Sequence, residues 1–520
     1  MKTLLKRYIT PDDPFGPIDS IDIDTADREV LKKLFETHNQ VYQGMRHRPS
    51  IIMGRRGSGK TSYLRTVYFN GDYDFIVEIR AQRVFEEITM VVHRAAKEAY
   101  VESLAELWEM MLWVCVFSEL SRKPFLPSDR LNLVNAYLAA LGVRDAVSVD
   151  DVLLKLAGVL SEATREHPSE GILAILRRFD RVAFDGVKAA VSDSLMKTRK
   201  RFVILMDSLE DFRLDMEAAS HSLRGLLKYV GSMNKPSDVV DIRFCLPTEL
   251  YRRVADFSSN QNKDFRRALK LQWKASELIL VGALRLKLYL ELYYPDFLNR
   301  LLPLDVGRRP DARRLFDAVL PPKITNAAGF QEDTISYILR HTQLLPRHFL
   351  MLLNSIFRNS GDAGGTPPFP ISERRIVSGV RRVEEQIVKE IFGAFRLVHP
   401  TAEETCRRCL PALGHKFDSG ELHRVYNRHG KAVFGGDGIH EFRRMLQEIG
   451  AVGRVDPSKS VEVYIQGDFE YNVEHEVAIA PQDEMCLHPL FSGIYRGNQN
   501  ERPVYPSGCR PDDEAVEDRD

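Results

Sequence analysis

The sequence has little cysteine, no net charge and no long uninterrupted apolar run. Six cysteines, Cys115, Cys245, Cys406, Cys409, Cys486 and Cys509, are scattered over 520 residues. That sparse spacing suits reduced thiols in a cytoplasmic protein and excludes a disulfide framework. Lysine plus arginine and aspartate plus glutamate each number 73, so no global field draws the chain to DNA or anionic lipid, and any polyanion contact must be local. The most hydrophobic stretch, residues 104–120, is broken by Glu106, Glu109 and Glu119, which argues against a membrane span. Residues 1–13 carry charges without an apolar core and do not read as a signal peptide.

Against these absences, apolar residue types make up 44% of the chain and charged types 28%, the balance of a globular protein and not of a collagenous, low-complexity or disordered one. At ~100 to 200 residues per domain, the length predicts three or four domains. Apolar positions at helical spacing predict a helix within 25–43, and an apolar run at 50–53 closes on a glycine cluster. A second strand is expected at 73–80. Residues 82–199 then show helical patterns, such as 84–100 and 152–160, with almost no strand texture, and read as a helical insertion. Strand texture returns at 201–207 and 239–246 around an amphipathic 221–230, an alternation that predicts a parallel sheet with helical crossovers. Helical pattern fills 276–357, and the glycine- and proline-rich 359–370 reads as a linker. Helices are expected near 372–392 and at 401–413, 419–428 and 438–449, followed by a hairpin from 461–466 and 472–480. Helices followed by a small hairpin suggest a winged helix.

Residues 54–61 read GRRGSGKT and fit G-x-x-x-x-G-K-[ST] at every required position, between an apolar strand and a helix. Gly54, Gly57 and Gly59 let backbone N–H groups, with that of Ser58, turn onto phosphate oxygens. Lys60 reaches the β- and γ-phosphates and Thr61 can ligate Mg2+. The apolar run FVILM at 202–206 ends in Asp207, an acid at a strand tip suited to holding that metal. Glu210 and Asp211 follow within one turn as candidates to orient the attacking water, Glu210 being favoured; a solvated, helix-capping acidic turn is the alternative. Thr248, at the tip of the strand after the next crossover, is either a phosphate sensor or a plain helix N-cap. No glycine stands three residues after Asp207, and NKPSD at 234–238 is one residue too long for a guanine-reading motif, so ATP is the expected nucleotide.

With these motifs the chain resembles bacterial P-loop ATPases of the additional-strand class, in the loose group that includes KAP NTPases, STAND signalling ATPases and archaeal origin-recognition AAA+ initiators. The matching residues are GRRGSGKT at 54–61, FVILMDSLED at 202–211, LQWKASELILVGALRL at 271–286 and LLPRHFLMLLN at 344–354. The resemblance implies a helical lid in which Arg347 reads the γ-phosphate; a surface or capping arginine is the competing reading. Relatives of this kind often act in phage defence, with a partner supplying the destructive activity. Ser208 directly after Asp207 departs from the initiator pattern.

The expected fold is therefore α/β: a P-loop NTPase parallel sheet with a large helical insertion, a helical lid and a C-terminal winged-helix domain. Its parts are an N-terminal segment (1–48), the ATPase core (49–290), the lid and linker (291–395), the winged helix (396–495) and an acidic disordered tail (496–520). Cys406 and Cys409 have zinc-like spacing without a second ligand pair and read as buried helix thiols. Arg443 and Arg444 make 438–449 the helix that would read double-stranded DNA, though Glu441 and Glu448 on it suit a protein-binding winged helix equally. The expected activity is that of an ATP-hydrolysing switch coupling nucleotide state to DNA or partner binding. The alternative is a nucleotide-gated scaffold, with little turnover, that forms a homo-oligomer or recruits an effector protein.

Overall fold

A computed structural model describes residues 1–38, 40–79, 101–167, 170–207, 216–233, 238–250, 267–326, 329–359, 368–434, 438–472, 477–495 and 502–510. The chain divides into two compact units, one of residues 41–55 and 60–271, the other of residues 1–40, 56–59 and 272–520.

The first of these units is built on five short strands, β1 (Ile51–Gly54), β2 (Phe75–Ile79), β3 (Phe202–Met206), β4 (Val240–Pro247) and β5 (Ala268–Leu271). All pair in parallel in the order β2-β3-β4-β1-β5. β1, β3 and β4 are buried at every position; β1 and β3 accordingly read as apolar runs and not as alternation, whereas β4 interposes Asp241 and Arg243. β4 separates β1 from β3, and the strand predicted at 73–80 lies at the sheet edge as β2. β5 carries only four residues, two of them half-buried, and gave no sequence signal.

β4 also buries two charges, Asp241 and Arg243, each 1% exposed. Tyr73 donates its hydroxyl to Asp241 Oδ2 at 2.5 Å and Arg201 donates Nη2 to the same oxygen at 2.9 Å. These bonds offset part of the cost of desolvating the carboxylate, whose pKa burial still pushes up.

After the short helix α1 (Lys60–Leu64), the insertion comprises α2 (Val101–Ser121), α3 (Ser128–Ala140), α4 (Val149–Glu166), α5 (Ile172–Arg178) and α6 (Arg181–Thr198). The expected helical texture at 84–100 falls outside the described residues. α2 is buried along most of its length, and that explains an apolar run of spanning length broken by Glu106, Glu109 and Glu119. No described helix is long and apolar enough to cross a membrane. α7 (Met216–Ser232) crosses α2 where Gly225 meets Leu104; a β-carbon added at Gly225 would stand 2.6 Å from Leu104 Cβ.

In the second unit the helix predicted within 25–43 is broken: Arg28–Leu34 is helical, and Phe35 turns extended at ψ 126°. The core is α8 (Ala275–Tyr293), packed on α9 (Arg309–Val319) and α11 (Pro346–Phe357). A β-carbon at Gly282 would meet Phe349, Phe316 and Leu353 within 3.1 Å. The hairpin β6 (Lys323–Thr325) and β7 (Gln331–Asp333) precedes α10 (Thr334–Arg340), and α12 (Glu373–Phe395) follows α11.

Beyond α12 the elements are α13 (Ala402–Cys409), β8 (Lys416–Phe417), α14 (Ser419–Val425), α15 (Ile439–Glu448), β9 (Val452–Val455), β10 (Ile465–Asp468), β11 (Met485–Leu487), α16 (Pro489–Tyr495) and β12 (Val504–Pro506), with strands ordered β12-β10-β9-β11-β8. Two expectations need correction here. The hairpin does not form from 461–466 and 472–480: Val461 and Val463 are 46% and 54% exposed and lack a core to alternate against. The described part of 472–480 forms no strand, and β9 and β11 take that place. The segment assigned to a disordered tail also contributes β12, parallel to β10, because Val504 and Tyr505 are buried; residues 511–520 lie outside the described residues. Cys406 and Cys409 are buried in α13, and burial pushes both thiols up, Cys409 to about 11.

A buried polar cluster joins β12 to β7 and α10, and α10 to α12. Arg340 donates to both oxygens of Glu332 at 2.7 and 2.9 Å, Tyr505 donates to Glu332 at 2.5 Å, and Glu384 faces His341 Nε2 at 3.5 Å. Burial raises Glu384 to about 7, against the opposing pull of Arg340 and Arg381. With its folded pKa above the ordinary carboxyl value, Glu384 binds more protons in the native state, so its stabilising share is complete below about pH 4.5 and lost as pH rises through about 7. Urea unfolding at pH 5 and pH 8 should therefore show a stability drop that Glu384→Gln reduces, by on the order of 3 kcal/mol.

Candidate functional site

β1 ends at Gly54, the next five residues form a tight loop, and helix resumes at Lys60. Gly57 (φ 84°) and Gly59 (φ 91°) lie in the left-handed region, open to glycine and costly for other residues. The Trp273 indole, 6% exposed, donates Nε1–H to the Ser58 carbonyl at 2.8 Å. Arg347 donates its backbone N–H to the Gly57 carbonyl at 3.3 Å. A trans peptide carries its N–H opposite its C=O, so fixing these two carbonyls turns the Ser58 and Gly59 N–H groups the other way, as a pair of donors for anionic oxygens.

Lys60 is 4% exposed, and its ammonium donates to the carbonyls of Gly54 at 3.0 Å and Arg55 at 3.1 Å. An ammonium at this place in the loop is suited to an anionic ligand. The Ser58 hydroxyl is buried and has no hydrogen-bond partner among the described residues. Thr61, next to Lys60 in the first turn of α1, is half-buried.

The sheet register sets the remaining candidates. Gly54 pairs with Pro247 of β4 and Met206 of β3 pairs with Phe244, so Asp207 stands level with Cys245, and Thr248 follows three residues farther along the adjoining strand. Asp207 is half-buried at the C-terminal end of β3, its backbone N–H 3.5 Å from the Ile79 carbonyl. The Thr248 hydroxyl is buried without a partner among the described residues, which end at 250 on this side of the strand. Glu210 and Asp211 fall outside the described residues.

Arg347 is placed in two parts. Its backbone lies on the loop, and a β-carbon at Gly57 would stand 3.1 Å from Arg347 Cβ. Its guanidinium turns to carboxylates: Nη2 pairs with Asp19, and Nη1 is 3.8 Å from Glu390 Oε2. Sequence reasoning had no signal for Asp19, Glu390 or Trp273 in this role, since each acts across a long separation in the chain. Chemically, the loop offers donors suited to anionic oxygens, two backbone amides, a hydroxyl and an ammonium, and Thr61 and Asp207 carry oxygens of the kind that ligate a divalent ion. Among the described residues no group of three His, Cys, Asp or Glu gathers as a metal cluster.

No protein-family model matches the chain, and no curated protein sequence matches it. Among solved structures, the Aeropyrum pernix ORC2 protein, described with ADPNP and ADP, aligns over 71% of this chain and 93% of its own at 14% identity and a TM-score of 0.27. A likeness so loose carries none of the reading that follows, which rests on the loop and the sheet.

Gly57→Ala should lower the unfolding free energy by about 1 to 3 kcal/mol in urea titration, since it forces a side chain into the left-handed region against Arg347. Trp273→Phe keeps an aromatic ring and deletes the indole donor to Ser58, and should cost about 1 kcal/mol in the same titration.

Proposed function

We propose that the chain binds ATP with Mg2+ at residues 54–61 and works as a nucleotide-dependent switch that hydrolyses ATP. The observation that supports this best is the loop itself: two consecutive carbonyls tied back by Trp273 and the Arg347 amide, with Lys60 buried on the carbonyls of the loop's first residues. Bound ATP supplies a γ-phosphoryl group whose transfer to water releases phosphate. The Ser58 and Gly59 amides and Lys60 bind and orient phosphate oxygens, Thr61 and Asp207 hold the metal, and Thr248 offers its hydroxyl at the end of β4. Glu210, or Asp211 in its place, orients the water and takes its proton. The Ser58 and Thr248 hydroxyls, each buried without a partner among the described residues, each suit a polar ligand.

Beyond α12 we read a winged helix elaborated by β10 and β12, in which β11 lies between β8 and β9. A specific observation favours a protein partner over double-stranded DNA as its occupant. Arg444 pairs with Glu441 at 2.5 Å and with Glu448 at 3.8 Å, and Arg407 and Arg408 pair with Glu403 and Glu404. Each of these arginines stands beside a carboxylate of its own helix, so these helices present little net positive charge to a phosphate backbone.

In isothermal titration calorimetry Lys60→Ala should abolish ATP binding. Glu210→Gln should retain binding and lose phosphate release; unchanged turnover there would transfer the role to Asp211. Duplex DNA should give no gel shift, whereas a shift weakening steeply with salt would make DNA the partner.

A further inference from the structure

Helix α14 runs on into a π-helical turn, Tyr426–Gly430, and then into a short helix, Lys431–Phe434. Turns of this kind are rare and occur mostly where a helix carries a function. Here the turn is packed from the inside. Tyr426 and Phe442 of α15 are both buried with their rings 5.1 Å apart, and a β-carbon at Gly430 would stand 3.1 Å from Cys409 Sγ of α13 and 3.2 Å from the Tyr426 ring. With those residues committed to the core, His423, Arg424, Asn427, Arg428 and Lys431 remain exposed.

The carboxylates around this run are all engaged elsewhere. Glu403 and Glu404 pair with Arg407 and Arg408, and Glu441 and Glu448 flank Arg444. Asp418 accepts the Glu421 N–H at 2.7 Å, and Glu421, the acid nearest in sequence to Arg424, accepts the Gly414 N–H at 3.1 Å. Lys416 pairs with Glu484 at 2.5 Å. Among the described residues, no side chain pairs with Arg424, Arg428 or Lys431. The balance of charge over 402–448 is therefore local pairing on α13 and α15, with the cations in excess gathered on one exposed run.

We propose that this face docks an extended acidic segment of a protein partner, one with aspartate or glutamate at alternate positions. Arg424 and Arg428, four residues apart, hold their β-carbons about 5 to 6 Å from each other, and alternate side chains of an extended segment lie about 6.6 Å apart on one side. Each guanidinium then takes one carboxylate through paired N–H donors, and Lys431 takes another as a point charge. Asn427 offers its amide to the segment's backbone. Duplex DNA fits less well: its binders contact about 6 to 10 phosphates, whereas α13 and α15, which pack against the turn, carry their own counter-ions. A single strand needs exposed rings to stack on, but Tyr426 and Phe442 are buried and Phe434 packs 5.8 Å from Phe442. A membrane surface needs apolar side chains to insert, and no large one among the described residues of 419–448 is exposed. The proposal rests on the protein-partner reading above and adds to it the surface and the chemistry of the segment it takes.

Fluorescence anisotropy on the full chain at low salt tests this with a short labelled peptide that alternates glutamate with serine. The peptide should bind, its counterpart with glutamine for glutamate should not, and Arg424→Gln with Arg428→Gln should weaken binding about tenfold. Both positions are exposed, and an unchanged urea midpoint shows that the double variant folds. Arg374→Gln with Arg382→Gln removes the same charge from exposed positions on α12 and should leave the affinity as it was; an equal loss there is a general field effect and overturns the proposal. Failure of the unaltered chain to bind the peptide overturns it too. So does a gel shift of duplex DNA that the Arg424, Arg428 double variant abolishes, since the face would then hold phosphates. A gel shift that persists in that variant, with the peptide still dependent on the two arginines, would overturn the reading of this domain as closed to DNA while supporting the proposed face.

Discussion

The carbonyl oxygens of Gly57 and Ser58 are held by one main-chain amide and one indole, and the direction of the intervening N–H groups follows from the planarity of the peptide. Much else in the region is arranged around that constraint. Gly57 and Gly59 must tolerate the left-handed region for the chain to turn within so few residues. Lys60, though buried, donates hydrogen bonds to carbonyls at the start of the same loop. Trp273 stands two residues before α8, a helix buried along most of its length, so the indole is aimed by packing and not by the loop.

How much of this was legible depended on whether a signal was local. The apolar runs at β1 and β3 and the glycine pattern at 54–61 were readable because burial on both faces and tight turning leave consecutive residues no freedom of type. The helices of the insertion were readable from their period. β5 was not, for four residues borrow their order from β1 alone, through register and not through their own composition. The strands beyond α15 were misplaced for a related reason: Val461 and Val463 alternate with polar neighbours but face solvent, whereas Val452 and Val455 are buried in a sheet that pairs β9 with β11, some thirty residues farther along the chain. Thr248 and Asp207 were placed by following strand ends. Asp19, Glu390 and Trp273 could not be, because each meets the loop or Arg347 through long-range packing.

Buried charge recurs in both units, and each case is settled differently. Asp241 and Arg243 sit inside a central strand with Tyr73 and Arg201 as partners. Arg285 has carbonyls as hydrogen-bond acceptors, and burial lowers it to about 10. Arg340 has a two-oxygen match with Glu332, reinforced by Tyr505 from the strand nearest the C-terminus. Polar groups in such settings cost more when left single than they contribute when paired. They therefore fix which segments must pack together: the N-terminal segment on α8 for Arg285, and β12 on α10 for Arg340.

All six thiols are enclosed by the fold, and for Cys115, Cys406, Cys409 and Cys486 burial also disfavours the thiolate. Alkylating reagents attack thiolates that water can reach. The native chain is thus already a quiet background for site-directed labelling: a single cysteine introduced on the surface would take up a spin label or a fluorophore ahead of the natural ones, without first stripping them from the core.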